Sequence, residues 1–245
     1  MFSIDRKVSQ PKSPTICVEY GKGVTSDLCL RNDPRGVKTY ESSNIFFPTP
    51  NTMIGRQIAF VCAPSQAGKT TFVNHFAKMF QYIYPKLKKI KVFSEKQNDD
   101  LEELGSERVP LDESIVENPI NPLSLENTLL IFDDVDGIYD RKVRNEVFKL
   151  IDRILKLGGG KKCHIIVTYH MLTNHSETRY LLFESNYIVV FPNTGTVNQF
   201  RNLFQNYLGI DADQTKKIMC TNSRWVLIHK NHPKYIVYES GCSIL

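Results

Sequence analysis

Nine residues, Ala63 to Thr71 (APSQAGKTT), constrain this chain more than any other stretch. They stand between a short β-rich run, Gln57 to Cys62, and a segment where Phe72, Val73, Phe76, Met79 and Phe80 recur at helical spacing. A strand, a glycine-bearing loop and a helix in that order form a phosphate cradle. The loop N–H groups wrap the anion and the positive end of the helix lies behind it. Ala63, Pro64, Ser65, Gln66, Ala67, Gly68, Lys69, Thr70 and Thr71 are thus the candidate nucleotide-binding set. Gly68 permits close backbone approach, Lys69 reaches the β and γ phosphates, and the Thr70 hydroxyl is placed to ligand Mg²⁺. Ala63 stands where the first glycine of such a loop usually falls, so a positive φ there would carry strain.

A second feature lies some sixty residues on, where the apolar run Thr128 to Phe132 ends in Asp133-Asp134. One carboxylate at such a strand end holds the magnesium ion and the next orients and deprotonates water. Asp133 takes the first role and Asp134 the second, which points to hydrolysis of the nucleotide rather than binding alone. An N-K-x-D base-recognition motif is absent, which weakens a GTPase reading. Arg141 and Arg144 follow the acids and leave a nucleoside or nucleotide kinase open, although a solvated helix face is the plainer reading of Arg144.

Around these motifs the pattern alternates. Strands are expected at Gln57 to Cys62, Lys89 to Ser94, Thr128 to Phe132, His164 to Thr168 and Tyr187 to Phe191. An amphipathic helix is expected at Arg141 to Leu157, stopped by Gly158-Gly159-Gly160. Strand–helix alternation implies parallel pairing through crossovers, so the fold class is α/β with helices on both faces. Asp99 to Glu117, with eight acidic residues, reads as a solvated connection. The tail reads as a helix through Val197, Phe200, Leu203, Phe204 and Tyr207, a shorter helix after Asp211, and a hairpin of Trp225 to His229 with Tyr235 to Tyr238. Residues 1–50 carry Pro11, Pro14, Pro34, Pro48 and Pro50 and develop no helical period. They read as an arm or extension, with Thr15 to Val18 and Leu28 to Leu30 as strand candidates, ahead of a domain at 51–245.

Composition excludes several classes. A chain of 245 residues with 41% hydrophobic and 23% charged residues builds a real core. No run approaches the ~20 apolar residues of a membrane span, and the N-terminus shows no secretory pattern. Six scattered cysteines without a C-x-x-C pair suit free thiols in a reducing compartment. Net charge +5 is compatible with nucleic acid without arguing for it. Cys163, His170 and His175 match no common zinc spacing.

The order APSQAGKTT, LLIFDDV, HIIVTYHMLTNHSETR resembles the FtsK/HerA-type ATPases. More closely, it resembles the genome-packaging ATPases of large double-stranded DNA viruses and virophages, the poxvirus-type packaging ATPases, over about Ile54 to Phe191. In that family an additional strand separates the P-loop and Walker B strands. It ends in a polar sensor, often glutamine, and a segment with an arginine follows. Here the strand ends Thr168-Tyr169-His170, without glutamine. His170 is the first sensor candidate and Thr168 the second, and Arg179 matches the arginine. The resemblance implies a P-loop NTPase fold of the RecA/FtsK-HerA kind, with ATP and Mg²⁺ at each interface of a hexameric or pentameric homo-oligomeric ring. Arg179 of one subunit would serve the γ-phosphate bound by its neighbour. It further implies double-stranded DNA gripped without sequence preference, a capsid component as anchor, no membrane, and a place in the host cytoplasm, viral factory or virion. Lys161-Lys162 and Lys86, Lys88, Lys89 and Lys91 are basic candidates for DNA-gripping loops, against the plainer reading of solvated faces. Three readings stand: a DNA-packaging motor, a P-loop kinase, and a non-motor nucleotide-regulated assembly protein. The acid pair argues against the third, and the lack of a lid with clustered arginines argues against the second.

Overall fold

A computed structural model describes residues 2–6, 13–21, 23–52, 54–96, 99–157, 162–172 and 177–245. They divide into two compact units, one of Met1–Met53 with Leu172–Leu245, the other of Ile54–Met171.

The first fifty residues, expected as an arm or extension with strand candidates at Thr15 to Val18 and Leu28 to Leu30, carry five strands of the first unit, and both candidates fall within them. These are β1 (Ser3–Arg6), β2 (Thr15–Gly21), β3 (Val24–Arg31), β4 (Thr39–Glu41) and β5 (Ile45–Pro48). Four of them pair antiparallel in the order β1-β3-β2-β5. Ile16, Cys17, Val18, Leu28, Leu30 and Phe46 are buried. Glu19 is buried on β2 yet satisfied, because Ser42 (2.7 Å), Asn44 (2.8 Å), Arg6 (2.9 Å) and Tyr40 (3.3 Å) all donate to it. Burial alone would raise its pKa, but these donors hold the carboxyl below the usual glutamate range. Local pattern hides part of this sheet. Outside the tight β2–β3 hairpin its strands pair across long loops, and a register shift between Thr15 and Cys17 breaks the alternation of β2.

The second unit carries β6 (Ile58–Cys62), α1 (Lys69–Ile83), β7 (Lys89–Ser94), α2 (Asp99–Glu102), β8 (Glu107–Pro110), α3 (Ser114–Glu117), β9 (Thr128–Phe132), α4 (Arg141–Leu157) and β10 (His164–Tyr169). Its strands are all parallel, in the order β6-β10-β9-β7-β8. Residues of β6, β9 and β10 are buried throughout, which is why they read as continuous apolar runs rather than alternating ones. Helix α1 buries Phe72, Val73, Phe76 and Phe80, and α4 buries Val143, Val147, Leu150, Ile151, Ile154 and Leu155. Arg56 donates to the carbonyls of Ile154 (3.0 Å) and Leu155 (2.6 Å), closing the last turn of α4. The glycines expected to stop that helix lie outside the described residues. The acidic connection at 99–117 contains an edge strand, β8, that its charge concealed. Glu107 and Arg108 face solvent there, as edge positions tolerate.

The rest of the first unit comprises α5 (Glu177–Glu184), β11 (Tyr187–Val190), α6 (Val197–Arg201), α7 (Ala212–Met219), β12 (Val226–His229), β13 (Tyr235–Tyr238) and β14 (Gly241–Ile244). Helix α6 starts in a capping box of Thr196 with Gln199 and runs on as a wider turn, Asn202–Tyr207. Asp211 caps α7. The expected hairpin is part of a larger set, since β11, β12, β13, β14 and β4 pair antiparallel in that order. None of the six cysteines, all among the described residues, is in a disulfide, and Cys220 is the exposed one.

Candidate active site

The phosphate loop follows β6, as its sequence context requires. Ala63 is tied to β10 by its N–H on the Tyr169 carbonyl (3.1 Å). It does not hold a positive φ. Those conformations fall on Gln66 (φ 67) and on Gly68 (φ 100), so the alanine at the first position carries no backbone strain. Pro64, Ser65 and Gln66 are exposed, Ala67, Gly68 and Thr70 half-buried, and Thr71 exposed. Helix α1 starts at Gly68 with no side-chain cap and no acid in its first turn. Its first N–H groups therefore remain available to an anion.

Lys69 is buried, and its ammonium donates to the Ala63 carbonyl at 2.8 Å. The same nitrogen lies 3.3 Å from Asp134 Oδ1. The two motifs, sixty residues apart in the chain, thus meet at the C-terminal ends of β6 and β9, where open parallel sheets hold their ligands. Between β6 and β9 runs β10, and its Thr168 joins them. The Thr168 hydroxyl accepts from the Asp134 N–H (2.7 Å) and shares its own hydrogen between Asp133 Oδ1 (3.0 Å) and Asp134 Oδ1 (3.2 Å).

The two acids differ in setting. Asp133 donates its N–H to the Phe93 carbonyl (2.9 Å). Burial first, and the Asp134 charge second, raise its pKa, against the opposing pull of Thr168, Lys69 and His170. Asp134 is 42% exposed at its side chain and sits in the left-handed region (φ 47), opening a tight turn at Val135–Gly137. Such strain at a non-glycine residue marks a position the surroundings over-determine.

Both sensor candidates reach the acids. Thr168 touches the pair directly, and His170 places Nε2 3.3 Å from Asp134 Oδ2. Asp136, two residues beyond Asp134, accepts from the His170 N–H (2.9 Å) and faces His170 Nδ1 (3.1 Å). The available signal was the third acid of the D-D-x-D run beside a histidine at the next strand's end.

Arg179 lies on α5, in the other unit, and is exposed. With Tyr180, Phe183, Asn206, Tyr207 and Lys230 it lines a cleft of about 660 Å³. Of the basic candidates, Lys88 pairs with Glu126 (3.7 Å), and Lys89 (3.7 Å) and Lys91 (2.6 Å) with Glu107. Lys86 and Lys162 are exposed, while Lys161 and His175 lie outside the described residues. Arg141 is exposed, and Arg144 lies over the Phe148 ring (5.8 Å). Among the described residues no three His, Cys, Asp or Glu side chains group as a metal site, and no helix is long and apolar enough to cross a membrane.

No protein-family model matches the chain. The uncharacterized protein V3 of Sputnik virophage is 30% identical over 203 residues, 82% of this chain and 81% of that protein. The chain belongs to the V3 family. Among solved structures, the chain is similar in fold to the genome packaging NTPase B204 of Sulfolobus turreted icosahedral virus 2, in complex with AMPPCP. That match has a TM-score of 0.50 at 10% identity and covers 76% of this chain and 98% of that one. The cytoplasmic domain of the type VII secretion ATPase EccC of Thermomonospora curvata matches with a TM-score of 0.52 at 9% identity. There the alignment covers 83% of this chain and 28% of the larger one. The V3-family chain therefore has the mixed α/β fold of P-loop ATPases, with a mostly parallel sheet flanked by helices, as its sequence motifs anticipate.

Proposed function

We propose that this V3-family chain is an ATP-hydrolysing motor that moves double-stranded DNA, packaging a viral genome into a capsid. The observation that carries the reading is the meeting of Lys69, Asp133, Asp134 and Thr168 at the ends of β6, β9 and β10. The uncapped start of α1, with a lysine and no acid in its first turn, fits a polyphosphate. Thr70 and Asp133 would hold Mg²⁺, which when bound neutralises charge developing on the phosphates. Lys69 supplies the fixed cation toward the terminal phosphates. Asp134, the more exposed acid, orients water and takes its proton. Thr168 and His170 keep that carboxylate aimed.

The packaging assignment is supported by kinship with a virophage protein and by the fold shared with a viral genome packaging NTPase. In this reading subunits assemble as a ring of five or six, Arg179 acts on the neighbour's nucleotide, and a capsid component anchors the ring. The motor works inside the infected cell or on the assembling virion.

ATPase rate with and without duplex DNA, measured alongside solution mass, tests the proposal. Turnover stimulated by DNA of any sequence, in an oligomer, is the expected result. A monomer whose turnover needs a nucleoside or nucleotide acceptor would make it a kinase instead, and nucleotide binding without turnover would make it an assembly module.

A further inference from the structure

The Asp136 carboxylate is committed to one residue. Its side chain is 6% exposed, Oδ2 accepts from the His170 backbone N–H at 2.9 Å, and Oδ1 lies 3.1 Å from His170 Nδ1. The tight turn that starts at Asp134, closed by the Gly137 N–H on the Asp134 carbonyl (2.9 Å), brings Asp136 back to the end of β10. A ring nitrogen facing a carboxylate oxygen does so as an N–H donor, so this contact fixes the ring's rotation. The ring itself is 30% exposed. Its other nitrogen, Nε2, faces Asp134 Oδ2 at 3.3 Å in the same way, so the ring bridges the two carboxylates by donating at both nitrogens.

The consequence falls on Asp134. Its Oδ1 meets Lys69 (3.3 Å) and the Thr168 hydroxyl (3.2 Å), while its Oδ2 meets only the ring among these groups. Lys69 is the partner a phosphate would draw away. What then keeps the carboxylate from rotating is Thr168 on one oxygen and His170 on the other.

We infer that Asp136 is a positioning residue of this site, locking the His170 ring so that Nε2 holds Asp134 in its working orientation. The role of Asp134 rests on the hydrolytic reading above; the ring lock does not.

Asp136→Asn in the full chain is the test. The amide oxygen accepts one hydrogen, but the amide N–H₂ cannot accept the second, so the ring must turn away or give up its Nδ1 hydrogen, and its orientation toward Asp134 is no longer fixed. Long-range ¹H–¹⁵N spectra of histidine-labelled protein, with His170 assigned by its loss in His170→Gln, read this without nucleotide. A hydrogen-bonded Nδ1–H is expected in the wild type and its loss in the variant. A wild-type ring lacking that hydrogen, or a ring unchanged by Asp136→Asn, overturns the inference; if the variant fails to fold, the wild-type spectrum alone decides. In turnover, Asp136→Asn should lower kcat about 10–100-fold, by analogy with the loss when a carboxylate that orients a metal-bound histidine is removed. KM for ATP should stay within about twofold, with little change in melting temperature. Added to His170→Gln, it should cost nothing more, because the ring it acts through is gone. Multiplying losses would show that Asp136 acts by another route. A normal ring spectrum in a protein that hydrolyses no nucleotide would sink the hydrolytic reading and leave the lock standing.

Discussion

The Lys69 ammonium lies 3.3 Å from Asp134 Oδ1, so the candidate phosphate cation and the candidate base are paired at rest. A single site therefore holds both parts of the proposed chemistry, and substitutions on the two sides should separate binding from hydrolysis. Lys69→Ala should abolish turnover and weaken nucleotide binding. Asp134→Asn should leave binding within a few fold while lowering turnover by about 10²-fold or more, as loss of a general base does. Equilibrium binding and single-turnover rates on the two variants check this, and parallel loss of binding in Asp134→Asn would remove it as the base.

Thr168 is fully buried and is the junction of three strand ends. Thr168→Val should cost about 1–3 kcal/mol, since the Asp134 N–H loses its acceptor and Asp133 its donor. Thr168→Ser, which keeps the hydroxyl, should restore most of it. Denaturant unfolding compares the three proteins, and equal stability of the valine variant would contradict the bond pattern.

Arg179 is exposed on α5, as its proposed action on a neighbour's nucleotide requires. Neither Arg179→Ala nor Lys69→Ala should turn over ATP alone. Mixed, they should recover part of the activity, because some interfaces then pair an intact arginine with an intact lysine. Absence of recovery at every ratio would speak against action across an interface.

Acid should weaken the fold through His164. Burial, and secondarily the Lys162 charge, lower its pKa to about 4. The Gln57 N–H on His164 Nδ1 (3.2 Å) also favours the neutral ring. The folded pKa lies below the unfolded value of about 6.5, so the stabilisation is fully present above pH ~6.5 and is lost as pH falls through about 4. The shift corresponds to something on the order of 3 kcal/mol. His229, also lowered to about 4 by burial, adds a similar slope in the other unit. His164→Asn should flatten part of the curve of stability against pH, measured by urea unfolding from pH 7.5 to 4.5. An unchanged curve would show that His164 does not set it.

The parts read correctly from sequence are those where local pattern and tertiary environment agree. β9 has the expected bounds because a parallel strand buried on both faces is an unbroken apolar run, β7 because its lysines alternate with the buried Ile90 and Val92, and α4 because it keeps its apolar stripe. Thr15 to Val18 and Leu28 to Leu30 fall within β2 and β3 as expected, while β8, β1 and β5 escaped because edge charge, proline and distant pairing erase the periodic signal.

What the sequence alone determined is the chemistry available: a phosphate loop with Lys69, an acid pair after an apolar strand, and polar residues ending another strand. These follow from residue type and spacing along single elements. What only the tertiary structure decided is which of these groups touch. Strand order places β10 between β6 and β9, and that brings Thr168 onto both acids. The left-handed turn at Asp134 carries Asp136 to His170. Strand order and turn handedness are set by packing across distant segments, and no local spacing encodes them.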